Sequence, residues 1–221
     1  MHGPSGEESE LHGLPRGRHG LPRELVEENQ RTRLISAMIE AVAENGYGKT
    51  TIAHITGAAK ISRRTFYENF SNKEDCFGAA YEVTLEYLRE TMLTAAAAEQ
   101  EWPERVRVGL DALLQSLAAH PDLATFFLIA PPSVGDSIAA RHHLAMRELV
   151  AALIAGPPPP PESEEPSDTQ AEALAGGLSR LIVRKVSAGE AEELPELLPG
   201  LVELLLRPFI GSEEAVRVAR G

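Results

Sequence analysis

The side chains best suited to chemistry crowd into one stretch, Ser62-Arg63-Arg64-Thr65-Phe66-Tyr67-Glu68-Asn69. Phe66 and Phe70 stand four residues apart, which places both rings on one face of a helix. A helix there turns the rings inward and presents Arg63, Arg64 and, further round, Tyr67 to the outside. An arginine fork matches guanine O6 and N7 in a DNA major groove, while Thr65 can hydrogen-bond a base or set its methyl against thymine. Thr51, Ser62, Tyr67 and Lys73 carry donors better suited to phosphates, which position a protein without reading sequence. The helix amino termini at Thr51 and Ser62 add oriented amides for the same anions. Two readings stay open on these residues alone: a DNA-recognition helix, or a small packing module with ordinary surface arginines. Tyr67 likewise fits a core edge as well as a phosphate donor.

The elements that must position this stretch follow from periodicity. Leu34, Met38, Ala41, Val42 and Asn45 recur at helical spacing, with Ile35 and Ile39 widening the stripe, and Gly46 suits the position after the helix end. Tyr47 then fits as a plug against the next helix. Thr50 or Thr51 caps a short helix over 52–58, with Ile52, Ile55 and Ala59 inward, and Ser62 caps the helix over 63–69. Two short helices around a brief turn make a helix-turn-helix. Ser71 to Glu74 spells a capping box for a long fourth helix to about Ala95, packed through Phe77, Ala80, Tyr81, Leu85 and Leu88.

The remainder is all helix by pattern: 102–119, a short piece over 123–129, 137–154 with Leu144, Leu149 and Leu153 inward, 169–186, and a last helix within 194–209 beginning by Glu196. The expected class is therefore all-α, a three-helix head joined through a long helix to a helical body. The expected divisions are a disordered tail over 1–26, a DNA-binding head over 27–75, a body over 76–211 and a tail over 212–221. Five consecutive prolines followed by acids make 156–168 a stiff, solvated connector. Arg16, Arg18 and Arg23 in the first tail could reach a minor groove, against Glu7, Glu8, Glu10 and Glu24 beside them.

The last two helices carry more apolar surface than outer helices can bury alone, and Gly176 and Gly177 tolerate a close helix neighbour. Leu174, Gly177, Leu178, Leu181, Leu201 and Leu205 are accordingly expected in a four-helix interface of a homodimer. Tyr87, Trp102, Leu113, Leu117, Phe126, Phe127 and Met146 supply wall material for a small apolar or amphipathic effector, in a pocket above about 300 Å³. The same side chains also serve as plain core.

Charge and composition narrow the classes further. The chain carries a formal net charge of -12, yet residues 28–73 sum to +3 and residues 76–221 to -11. Two weakly positive heads on a negative body would confine DNA to the heads; the body's charge mildly favours cationic or neutral effectors. No run of about 18 uncharged apolar residues and no leader-like start appears, so a protein of the cytoplasm away from membranes is expected. Cys76 is the only cysteine and the seven histidines fall in no compact ligand pattern, so neither metal nor cofactor is expected. Paired carboxylates near a histidine, a nucleophile elbow and a glycine-rich phosphate loop are all missing, which leaves a helical enzyme or carrier as a remote alternative.

Residues 29–82 resemble the amino-terminal domain of the TetR/AcrR family of regulators. The landmarks are Gly46-Tyr47, Thr50-Thr51, Ile55, Ala59, Ile61-Ser62, Thr65, Phe66-Tyr67, Phe70 and Lys73-Glu74, in order and at matching spacing. The resemblance implies a homodimer reading a palindromic double-stranded operator through two recognition helices, most often a repressor released by an effector. It implies phosphate contacts at Thr51, Tyr67 and Lys73 and base approach by Arg63, Arg64 and Thr65. Lys60 stands where the family often has a turn glycine, and Asn69 where it often has histidine. Control by a protein partner or by concentration, without an effector, is the alternative within the DNA-binding class. The chain end, 194–211, resembles that of many actinobacterial members.

Overall fold

A computed structural model of the chain describes residues 23–155 and 168–221. The elements are α1 (Arg23–Asn45), α2 (Ile52–Ala59), α3 (Arg63–Asn69), α4 (Lys73–Ala96), α5 (Trp102–Ala119), α6 (Pro121–Leu128), α7 (Asp136–Ile154), α8 (Asp168–Ser187) and α9 (Leu198–Arg220), with 3-10 turns at Pro131–Ser133 and Ala191–Leu197. No strand occurs among the described residues, and none of their helices is long and apolar enough to cross a membrane. The tail expected over 1–26 lies outside the described residues except for its last four, which begin α1; the proline-rich connector lies outside them too, save Asp168 at the start of α8.

The head core is Leu34, Met38, Val42, Ile55, Phe66 and Phe70, all buried. Gly46 leaves α1 at φ +73, a left-handed conformation that glycine adopts without a Cβ clash, and its N–H bonds Val42 O at 2.8 Å. Buried Thr50 ties the following turn by donating its hydroxyl to Ala41 O (3.0 Å) and Gly46 O (2.9 Å). Head and body share one continuous core, because Phe77 at the start of α4 meets Tyr47 edge-on (5.4 Å) and Phe126 of α6 (4.6 Å).

Several boundaries and orientations differ from the sequence expectation. Leu144 is 50% exposed rather than inward, because His142, Ala145 and Leu149 take the packed face of α7. The last helix starts at Leu198, with Pro199 in its first turn, since the chain around Pro195 winds as a 3-10 turn. It also runs through the stretch expected as a tail: a break at Gly211 (φ +78) redirects the chain, and Ala215, Val218 and Ala219 beyond it are buried. The interface candidates Leu174, Leu178, Leu201 and Leu205 lie in the chain's own core, whereas Gly177 and Leu181 remain partly exposed. The apolar surplus on these helices is absorbed within the chain, that of α8 by α7 and α6, that of α9 by α5, and part of both by the Ala191–Leu197 turn.

One polar pair is set inside the body. Tyr81 of α4 and His142 of α7 share a 2.9 Å hydrogen bond between the phenol oxygen and Nδ1, and both side chains stack or edge against Phe127. Burial, reinforced by the neighbouring His143, holds His142 down at a pKa of about 4. Above pH 6.5 the imidazole is neutral folded or unfolded; as pH falls toward 4 only the unfolded chain takes up the proton, so stability is lost across that window. The loss is on the order of 2–3 kcal/mol. Melting from pH 7 to pH 4.5 should show a steeper decline for the native chain than for His142→Gln, whose amide oxygen can still accept from Tyr81. Equal slopes would contradict it.

Candidate nucleic-acid interface

The order of caps fixes the helix-turn-helix. Thr51 accepts from His54 N (3.2 Å) to start α2, and Ser62 accepts from Thr65 N (3.0 Å) to start α3, each satisfying an orphan helix donor. Between them Lys60 closes α2 in the left-handed region at φ 52, its N–H on Gly57 O. A non-glycine residue there is strained by roughly 1 kcal/mol. Lys60→Gly is expected to stabilise the chain by about 0.5 kcal/mol after glycine's larger unfolded-state entropy is subtracted, raising Tm by one to three degrees. A lower melting temperature in Lys60→Gly would show that the left-handed turn is unstrained.

Two arginines from α1 hold the short helices from behind. Arg31 donates to Asn69 O (3.2 Å) at the end of α3 and lies 4.4 Å over the Phe70 ring. Arg33 donates to Ala59 O at the end of α2. Both positive charges sit at helix carboxyl termini, where the macrodipole favours them. Periodicity alone carries no sign of these contacts, because they depend on how α2 and α3 cross α1.

With that backing, α3 presents Arg63, Arg64, Tyr67 and Glu68 to solvent. Tyr67 is 53% exposed and meets Phe66 edge-on at 5.5 Å, so its hydroxyl end is wet while its ring covers the core edge. Arg64 pairs with Glu68 at 2.9 Å in a fully wetted i,i+4 bridge, an interaction weak enough to yield to a base edge or phosphate. Thr65 is half-buried and its hydroxyl shares a 2.9 Å hydrogen bond with Ser62. Thr51 is exposed, with its hydroxyl hydrogen unclaimed by the cap.

Lys73 departs from the free phosphate anchor read from sequence. Its ammonium donates to Tyr47 O (2.8 Å) and Thr50 O (2.9 Å) and sits 3.8 Å over the Tyr47 ring. Burial there lowers its pKa. Two of three donors thus tie the α1–α2 turn to the start of α4. The α4 cap is likewise one residue later than expected: Asn72 accepts from Asp75 N (2.8 Å), while Asp75 receives the Ser71 N–H (2.8 Å) and hydroxyl (2.9 Å). Ser71 with Glu74 and Asn72 with Asp75 both spell a cap followed by an acid at the third position, so the sequence left the register tied.

In the body, four of the seven pocket candidates, Leu113, Leu117, Phe127 and Met146, line a cavity of about 50 Å³ with Leu88, Met92 and Ile182 among its other walls. It falls short of the expected 300 Å³. The other three face elsewhere. Tyr87 is 41% exposed and its hydroxyl accepts from Ser116; Trp102 donates to Ile154 O and packs on Phe209; Phe126 is core against Phe77. An open groove of about 740 Å³ runs between α7 and α8. Cys76 is buried and its thiol is pushed up to about 12 by that burial, so it is no nucleophile.

Residues 34–80 match the family model described as bacterial regulatory proteins, tetR family. No curated protein matches the chain in sequence. Its fold is similar to that of the fatty acid degradation regulator FadR from Bacillus halodurans, with a TM-score of 0.68 at 17% identity over 81% of this chain and 98% of the other. FadR from Bacillus subtilis, solved in complex with stearoyl-CoA, gives 0.65 at 17% identity over 81% and 98%. A gamma-butyrolactone receptor described as ArpA-like gives 0.61 at 19% identity over 88% and 96%.

Proposed function

From a TetR-family head on a TetR-like helical body, we infer that this chain is a transcriptional regulator that binds a palindromic operator as a homodimer, through α3 in the major groove. The observation that carries this reading is the outward face of α3: Arg63, Arg64 and Tyr67 project from a helix whose other face is locked by Phe66, Phe70 and Arg31. A rigidly backed helix with exposed arginine forks is what base readout requires. Thr51, Ser62 and Tyr67 flank it with donors for phosphate.

Dimerisation is assigned to the outer edges of α8 and α9. Gly177, Leu181 and Arg184 share one edge of α8, and Leu204 of α9 is 40% exposed. Among the described residues nothing lies against Gly176 or Gly177 where a Cβ would stand, so a partner helix can approach closely. Release of the operator by a small apolar or amphipathic effector fits the cavity, apolar but for Ser179, and its walls on α4, Leu88 and Met92, through which a displaced helix would move the head. Selection from a random duplex pool should return a two-fold symmetric site with half-sites about one helical turn apart. A pool that gains no symmetric sequence would overturn the operator reading.

A further inference from the structure

We propose that the effector is an anionic amphiphile whose hydrocarbon tail enters the body through the α7–α8 seam and whose head is held outside by Arg147 and Arg180. This rests on the effector reading above and specifies its chemistry. The apolar cavity and the groove share four wall residues, Leu128, Met146, Ala175 and Ser179. Inside the partition the walls are Leu, Met, Phe, Val, Ile and Ala apart from Ser179 itself, and the described residues contain no buried side-chain polar atom lacking a partner. A ligand group with hydrogen bonds to satisfy would be costly there. An alkyl chain would not.

At about 50 Å³ the cavity is far below the roughly 300 Å³ of a ligand pocket, so a tail cannot sit in it as it stands. The partition must open, and Met146 is its most adaptable member, an unbranched thioether with three rotatable bonds and a half-exposed position. Opening it joins the cavity to the groove of about 740 Å³. On the groove side the polar lining is His142, His143, Arg147, Glu172, Ser179 and Arg180. His142 is turned to Tyr81. Arg89, Arg107, Arg141, Lys185, Arg207 and Arg217 of the body are each paired with glutamate, whereas Arg147 and Arg180, like Arg105, Arg184 and Arg220, make no ion pair with a described residue; of these five only Arg147 and Arg180 line the groove. Against one acid, Glu172, two free guanidinium forks make the mouth positive on a body of charge -11. A carboxylate or phosphate head satisfies both forks. This reverses the preference for cationic or neutral ligands read from the body's overall charge, because the local lining and not the global sum faces the ligand.

The test uses the full chain and four ten-carbon probes below their micellar range: decanoate, decyl phosphate, decanol and decyltrimethylammonium, titrated calorimetrically. Decanoate or decyl phosphate should bind tightest, and whichever leads names the head. Arg147→Gln with Arg180→Gln, both on the surface, should weaken the leading anion about tenfold and leave decanol within about twofold. Met146→Trp should weaken anion and alcohol alike, and Ala175→Leu serves the same purpose if the first variant melts early. Anion binding unchanged in the double arginine variant, or decyltrimethylammonium binding as tightly as the anions, overturns the proposal. If a neutral or cationic probe then still releases operator DNA, the effector reading survives alone; if none of the four binds, both fall. Loss of dimer in the arginine variant would assign the groove to a second copy and also overturn it.

Discussion

Replacing Leu178 and Leu205 together with glutamate is expected to abolish folding of the helical body. Leu178 is 4% and Leu205 0% exposed, and each packs inside a single chain. A carboxylate forced into either site must be desolvated without a partner or be protonated, and either costs several kcal/mol. Two such costs equal most of the roughly 5–15 kcal/mol that separates a folded domain from its unfolded ensemble. Far-ultraviolet circular dichroism should show loss of the cooperative melt, with aggregation in sedimentation. By contrast Leu181→Glu with Leu204→Glu, placed on the outer edges of α8 and α9, should keep the melt within a few degrees and sediment as monomer. A folded monomer from the Leu178 and Leu205 pair would place the dimer contact back on the inner face.

The second large effect is a division of labour in the head. Arg63→Ala and Arg64→Ala should each cost roughly 1–3 kcal/mol on the selected operator, and on random duplex only the share due to one phosphate-range charge. Arg64 gives up an exposed bridge to Glu68 on binding, a cost well below the gain from a bidentate base contact. Lys73→Ala acts differently, because its ammonium closes the α1–α2 turn through Tyr47 O and Thr50 O. Losing two hydrogen bonds to a charged donor should destabilise the head by about 2 kcal/mol. It should lower affinity for both DNAs together with the melting temperature, while the salt slope of the folded fraction changes by less than one unit.

Much of the head was legible because its signals are local. Thr51, Ser62 and Gly46 are caps read from type and position, and Phe66 with Phe70 fixes a helix face by spacing. The resemblance over residues 29–82 rests on the same landmarks, and the family match spans 34–80. What failed to show depends on how helices cross. Arg31 and Arg33 cap helices 26 to 38 residues away, and Lys73 turns back over Tyr47. In the body, periodicity found the helices but could not say which apolar stripe faces the chain's own core. The surplus on 174–205 suggests an interface by pattern, yet α6 and α7 cover much of it on α8 and α5 covers much of it on α9. The aromatic residues were assigned to one pocket for the same reason. Tyr87, Trp102 and Phe126 each found a separate partner, and the cavity is walled chiefly by leucines and methionines whose types carry no signal for a site.

The most direct test of DNA readout by α3 is a titration of the selected operator and of random duplex across several salt concentrations, for the native chain and for Arg63→Ala with Arg64→Ala. Readout through α3 predicts that the native chain prefers the operator by at least about a thousandfold, and that the double variant loses most of that ratio while keeping its melting temperature. Equal losses on both DNAs, with the preference intact, would make the two arginines phosphate contacts and contradict base readout by α3.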